Sequence, residues 1–182
     1  MPDSDQKIIA DLKDASKRDL AFHVLVKTYQ ERLYWHIRKM VMNHDDADDV
    51  LQNTFMKVWR SIDSFREESS LYTWLYRIAT NESITFLNSK KKKSLMSLSE
   101  ENEYLMDNLM SDPYFEGDEI QLKLQQAILR LPEKQRIVFN MKYFDEMKYE
   151  DMSQILDTSV GALKASFHHA AKKVEDYIKN ID

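Results

Sequence analysis

Residues 45–62, DDADDVLQNTFMKVWRSI, place Ala47, Val50, Leu51, Thr54, Phe55, Val58, Trp59 and Ile62 at steps of three and four, which is one stripe of an α-helix. Asp45 or Asp46 is a natural N-cap for it. With the buried stripe accounted for, Asp48, Asp49, Gln52, Asn53, Met56, Lys57 and Arg60 remain on the outside. Two readings of that face stand side by side. It is a plain solvated surface, or it is a docking surface, because carboxylates and amides around one flexible Met offer both charge and contact area to a basic helical partner.

The next segment, FREESSLYTWLYRIATNESITFL (65–87), opens with a polar loop, Arg66 to Ser70, and then turns helical. Leu71, Leu75, Ile78 and Phe86 are spaced to face a core; Tyr72, Trp74, Arg77, Asn81 and Glu82 cannot all do so. Exposed rings interleaved with guanidinium and amide groups suit unstacked bases: rings stack, Arg neutralises phosphate, Asn bonds base edges. Trp74 and Tyr76 can equally be core or rim aromatics.

Taken together, DDADDVLQNTFMKVW and FREESSLYTWLYRIATN resemble region 2 of the extracytoplasmic-function sigma factors, the small promoter-recognition subunits of bacterial RNA polymerase. The resemblance runs from about Phe22 to Leu87 and resumes from about Ile120 to Ile178. It implies an all-α protein in which a region 2 bundle binds the clamp helices of the polymerase β′ subunit through Asp48, Asp49, Gln52, Asn53, Met56 and Lys57. It further implies that Phe65, Arg66, Tyr72, Trp74, Arg77 and Asn81 contact the melted non-template strand of the minus-ten element. One departure is Asn53, where the family commonly carries Glu.

Composition narrows the alternatives. Two glycines and three prolines in 182 residues point to a nearly all-helical chain, and neither a P-loop nor a GxGxxG turn can be built from Gly117 and Gly161. The absence of cysteine removes disulfides, thiolate metal sites and thiol nucleophiles, and fits a reducing cytoplasm. No apolar run approaches the length of about 20 residues needed to span a bilayer. A soluble chain without membrane insertion is therefore expected, and the resemblance implies a cytoplasmic protein without cofactor, metal or catalytic residue. The net charge of −5 is unevenly placed: residues 94–118 hold seven acids and no base, which leaves the remainder at +2. Local charge is thus the better guide to a nucleic-acid partner.

Three sections follow along the chain. Residues 1–93 form a helical bundle, in which Phe22, Leu25, Tyr29, Leu33, Ile37 and Val41 line one face of a long helix and Lys90 to Lys93 supply a basic end. Residues 94–117 are acidic, hold Pro113 and Gly117, and read as a flexible linker whose scattered Leu and Met, Leu105 and Met106 among them, offer transient docking. Residues 118–182 form a second helical domain. There Ile120, Leu124, Ala127, Ile128 and Leu131 make a stripe, and Pro132 opens a helix carrying Ile137, Val138 and Met141.

Within that domain, MKYEDMSQILDTSVGALKASFHHAAKKVEDYI (147–178) is spaced as helix, turn, helix. Met152, Ile155 and Leu156 pack from the first helix; Ser159 caps the second, and Leu163, Phe167, Ala170, Val174 and Ile178 pack from it. The second helix of such a unit offers its N-terminal residues to a major groove. The segment resembles region 4 of the same family, which binds the β flap and reads the duplex minus-thirty-five element. The implied contacts are Tyr149, Ser159, Val160, Gly161, Lys164, Ala165, His168, His169 and Lys172. Ser166, His169 and Ala171 stand where the family often has Arg. His168 and His169 do not make a metal pair, because adjacent helical positions diverge by about 100° and no third ligand is near. The resemblance also implies an anti-sigma factor as a further partner.

Two other functions compete. Asp45, Asp46 and Asp49 spell DDxxD, the magnesium-diphosphate motif of all-helical prenyl transferases, though such folds need a far larger cavity and a second acidic motif. A two-domain helix-turn-helix regulator explains the C-terminus equally well but not the adjacency of the acidic face and the aromatic segment.

Overall fold

The computed structural model describes residues 3–94, 103–108 and 119–180. Among the described residues every regular element is helical: α1 (Asp3–Lys13), α2 (Arg18–Val41), α3 (His44–Ser61) with a 3-10 turn at Ile62–Ser64, α4 (Leu71–Ser94), α5 (103–108), α6 (Glu119–Leu129), α7 (Glu133–Tyr143), α8 (Tyr149–Leu156) and α9 (Val160–Lys179).

The break between α2 and α3 is built from Met42, which takes a left-handed φ of 59° and donates its backbone N–H to the Arg38 carbonyl, and from Asn43. The Asn43 side chain accepts the Asp46 N–H at 2.9 Å, so the N-cap is Asn43 rather than Asp45 or Asp46. An Asn in extended backbone one turn earlier leaves both acids inside the first turn, where they favour the positive end of the helix dipole.

In the N-terminal half α2 packs on α1, α3 and α4, and α3 packs on α4. In the C-terminal half α9 packs on α6, α7 and α8. The halves also touch, through α4 against α8 and α2 against α7. A single hydrophobic cluster accordingly runs from Leu25, Leu33, Ile37, Val50 and Leu75 in the first half to Met141, Met147, Met152 and Leu163 in the second. A smaller cluster of Ala127, Ile128, Leu131, Phe139, Ala170 and Val174 belongs to the second half alone.

Two expectations change. Trp59 is 36% exposed and Ile120 is 73% exposed, although both fit apolar stripes. Trp59 sits at the rim because Phe22 of α2 meets it edge-on at 4.9 Å and the Arg18 guanidinium lies over its ring at 5.1 Å. Within the linker a short stretch docks, as its scattered Leu and Met residues allow. Residues 103–108 are helical, and Leu105 is fully buried in the shared core. Its neighbour Tyr104 approaches Lys90 at 2.6 Å and donates to Asp46 at 3.3 Å. The remaining linker residues, with Pro113 and Gly117, lie outside the described ones.

Candidate functional site

The outer face of α3 forms first. Because Ala47, Val50, Thr54 and Val58 take the inward positions, Asp48, Asp49, Gln52, Asn53, Met56 and Lys57 are all exposed. Lys57 pairs with Glu82 of α4 at 2.6 Å, which ties the edge of this face to the neighbouring helix. Beside Gln52 and Met56 an open groove of about 670 Å³ runs between α2 and α3, floored by Phe22, Val26, Phe55 and Trp59. The sequence stripe hid this apolar ground, since Phe55 and Trp59 fit a core pattern and Phe22 lies in another helix. At the head of α3, Asp46 accepts from Lys90 at 2.6 Å. Burial acts to lower the Lys90 pKa, but the hydrogen bonds to Asp46 and Tyr104 outweigh it and hold the ammonium above its ordinary range. Among the described residues no three His, Asp or Glu side chains come together as metal ligands.

The six minus-ten candidates separate by burial. Phe65 is only 5% exposed and lies against Trp74, with ring centroids 4.9 Å apart. It holds the indole rather than meeting solvent. Trp74 and Tyr72 are half-buried, while Arg66, Arg77 and Asn81 are exposed. Asn81 and Glu82 adjoin in sequence, so the acidic α3 face and the α4 face meet at the Lys57–Glu82 pair.

Arg77 does not project freely. Its Nε donates to the Gln154 carbonyl of α8 at 2.9 Å, and its Nη2 donates to the same oxygen. One turn earlier, buried Thr73 donates to Asp151 of α8 at 3.1 Å. The Tyr72 and Tyr76 rings lie tilted against each other at 4.2 Å, and burial pushes the Tyr72 phenol up to about 12 and the Tyr76 phenol higher still. Both are therefore neutral at ordinary pH.

Below them the halves are joined by a buried polar cluster. His36, 2% exposed, bonds Asp145 through Nδ1 at 2.7 Å and Thr80 through Nε2 at 2.9 Å. Lys39 also donates to Asp145, and Asn140 donates to the Lys39 carbonyl at 3.2 Å. Burial alone would raise the Asp145 carboxyl; the His36 hydrogen bond and the charges of His36 and Lys39 outweigh it and hold the group below the ordinary carboxylate range. None of these residues stood out in the sequence. Asp145 looks like any loop acid, and its partners lie more than a hundred positions away.

The helix-turn-helix is formed by α8 and α9. Asp157 takes a left-handed φ of 49° to end α8, and the Ser159 hydroxyl accepts the Ala162 N–H at 3.3 Å to begin α9. Leu163, Ala170 and Val174 are buried, so Ser159, Gly161, Lys164, Ala165, His168, His169 and Lys172 face outward; Val160 and Tyr149 are half-buried. No atom lies within 4 Å of a Cβ built on Gly161, which leaves the start of α9 open to close approach. The Lys164 ammonium rests 5.7 Å from the Tyr149 ring, linking the two helices of the unit.

Two family models match this chain: sigma-70 region 2 over residues 25–93 and sigma-70 region 4 over residues 121–174. The chain is 29% identical to the ECF RNA polymerase sigma factor SigW of Bacillus subtilis, over 93% of this chain and 96% of that one. It is 28% identical to the ECF RNA polymerase sigma-E factor of Haemophilus influenzae, over 98% and 97%. Its fold resembles that of CnrH, solved in complex with the cytosolic domain of CnrY, with a TM-score of 0.71 at 20% identity over 99% of this chain and 100% of the other. It also resembles the sigma factor RpoE, solved with the anti-sigma factor NepR from Bartonella quintana, with a TM-score of 0.67 at 21% identity over 87% and 96%.

Proposed function

This chain belongs to the extracytoplasmic-function sigma factors of the sigma-70 family, and we propose that its exposed faces divide the work of such a factor among three surfaces. As an RNA polymerase sigma factor it directs core polymerase to promoters. The α3 face, Asp48, Asp49, Gln52, Asn53, Met56 and Lys57, docks on the β′ clamp helices, with the apolar groove beside Gln52 and Met56 adding contact area. Trp74, Arg77 and Asn81 of α4, with Arg66 and Tyr72, meet the melted minus-ten strand, and Phe65 positions Trp74. The N-terminal part of α9, with Lys164 and His168 foremost and Lys172 on phosphate, reads the minus-thirty-five duplex, while the same domain meets the β flap.

The division into residues 1–93, 94–117 and 118–182 follows the same assignment. The protein acts in the cytoplasm beside polymerase, without catalysis of its own. An anti-sigma factor is its proposed keeper, by analogy with the solved complexes of CnrH and RpoE. Among the described residues no helix is long and apolar enough to cross a membrane.

One observation carries the reading: an exposed acidic and amide face on α3 adjoins an aromatic and amide face on α4, in a chain that also ends in an open, capped helix-turn-helix. The test is run-off transcription from core polymerase supplied with this chain and no other sigma factor. Promoter-specific transcripts are expected. Failure to co-elute with core polymerase, together with no transcript, contradicts the assignment.

A further inference from the structure

Neither α1 nor the turn that follows it carries a docking or reading residue, yet both are built firmly into the fold. Ile8 and Leu12 are buried in the main core. Asp5, 5% exposed, accepts from the Tyr29 hydroxyl of α2 through both carboxylate oxygens at 2.9 Å. A buried carboxylate is tolerated when such a donor meets it, so a polar contact as well as an apolar stripe holds α1 on α2. Beyond α1, Asp14 closes the turn by accepting the Ser16 backbone N–H at 3.0 Å and the Ser16 hydroxyl at 2.7 Å. Lys13 and Arg18, on either side of this turn, are presented from a fixed support.

Both reach the segment that leads into α4. The Lys13 ammonium donates to the Glu67 carboxylate, and Arg18 Nη2 donates to Asp63 at 2.9 Å. Asp63 lies in the 3-10 turn just before Phe65, and Glu67 follows Arg66. The two ion pairs thus bracket Phe65 and Arg66. Glu67 takes a left-handed φ of 60°, a conformation that costs a residue with a Cβ and persists where its surroundings hold it. At the far end the Ser70 hydroxyl accepts the Thr73 N–H at 3.0 Å, which fixes the entry to α4. Residues 66–68 between these points are exposed. Among the described residues, Lys13 supplies the one side-chain hydrogen bond that reaches them.

We propose that Lys13, with Arg18 beside it, is a positioning residue for minus-ten recognition: α1 is a buttress that sets the path of the loop from Phe65 to Ser70, and with it the base edges that Arg66 and the Trp74 face accept. The proposal rests on the assignment of this loop and α4 to the minus-ten strand. It adds an element that takes part without touching DNA. Both pairs lie at the surface, with side-chain exposures of 51% for Lys13 and 50% for Glu67, so they add little to global stability. Their effect falls on the loop. A loop already held in one path loses less freedom when it meets its ligand, and a released one accommodates more arrangements and discriminates less.

The experiment is a charge reversal and its rescue in the full chain. Lys13→Glu should leave helical content and melting temperature nearly unchanged. Backbone order parameters at residues 66–68, measured by NMR relaxation, should lie near about 0.85 in the unmodified chain and fall toward about 0.6 in the variant. Base preference should be read by run-off transcription from a promoter pool randomised at the minus-ten element. Discrimination there should drop by about two- to fivefold, the range that a surface ion pair supports, while preference at the minus-thirty-five element stays as it was. Lys13→Glu combined with Glu67→Lys should restore both the order parameters and the discrimination. Order parameters unchanged by Lys13→Glu overturn the buttress. A loosened loop with unchanged discrimination overturns its role in reading. Relaxation does not involve polymerase, so it decides the buttress even if the unmodified chain yields no promoter-specific transcript, which is the failure of the sigma reading itself. If Lys13→Glu loses its helices, Lys13→Met, which removes the charge and keeps the stem, carries the decision.

Discussion

The outward faces of α4 and α9, the two proposed to meet nucleic acid, are presented differently. On α9, Lys164, His168 and Lys172 face solvent and open space surrounds Gly161. On α4, Arg77 and Thr73 are engaged by α8, and the aromatic pair Tyr72–Tyr76 lies against the junction. The face proposed to read duplex DNA is thus exposed as folded, whereas Arg77 and Thr73 on the face proposed to read melted DNA are bonded to α8.

The joint between the faces is where the largest effect is expected. Leu105→Ala removes a fully buried side chain from the shared core and should cost about 2–5 kcal/mol of stability, read in denaturant unfolding. A cost under about 0.5 kcal/mol would mean that the α5 turn is not held against the shared core in solution.

For α9, Lys164→Ala should change base preference in the minus-thirty-five element by about 1–3 kcal/mol. Lys172→Ala should weaken all sequences alike and lower the salt slope by about one ion. Identical profiles for the two variants would erase the distinction between a reading end and a phosphate end of the helix. For the α3 dock, Asp49→Ala with Gln52→Ala should weaken core polymerase binding by about tenfold, or about 1.4 kcal/mol. Melting should hardly change, since both side chains are exposed. Restoring the family's charge with Asn53→Glu should tighten binding.

The smallest effect concerns pH. Asp145 titrates below the ordinary carboxylate range in the folded chain, so its contribution to stability is complete above the unfolded value of about 3.9 and is lost as pH falls through the folded value. The melting-temperature difference between the unmodified chain and Asp145→Asn should be flat from about pH 7 to about pH 5 and shrink below about pH 4. A difference that shrinks already between about pH 7 and about pH 5 would show that the carboxyl is raised, and that burial outweighs His36 and Lys39.

Much of this was legible in the chain. The period of α3 separates inward Val50, Thr54 and Val58 from outward Asp49, Gln52 and Met56 by arithmetic alone, and Ser159 with Leu163 and Ala170 orients α9 in the same way. What periodicity cannot supply is the identity of the neighbour. Trp59 fits a core stripe, but it meets Phe22 edge-on and lies under the Arg18 guanidinium at the rim, 36% exposed. Phe65, which the resemblance implies as a minus-ten contact, follows the 3-10 turn after α3, and the turn carries it against Trp74. The Asp145 cluster depends on pairings across the whole chain, for which a local pattern has no signal.

The central claim is that α4 melts and reads the minus-ten element, and strand opening measures it most directly. Open-complex formation should be compared on duplex promoters and on templates already mismatched at the minus-ten element, for the unmodified chain, Trp74→Ala and Asn81→Ala, each assembled with core polymerase. Stacking and base-edge contacts worth about 1–3 kcal/mol per base offset unpairing only where unpairing is required. Both variants should therefore be impaired on duplex templates and largely rescued on mismatched ones. Equal impairment on both templates, with core binding intact, would contradict the account.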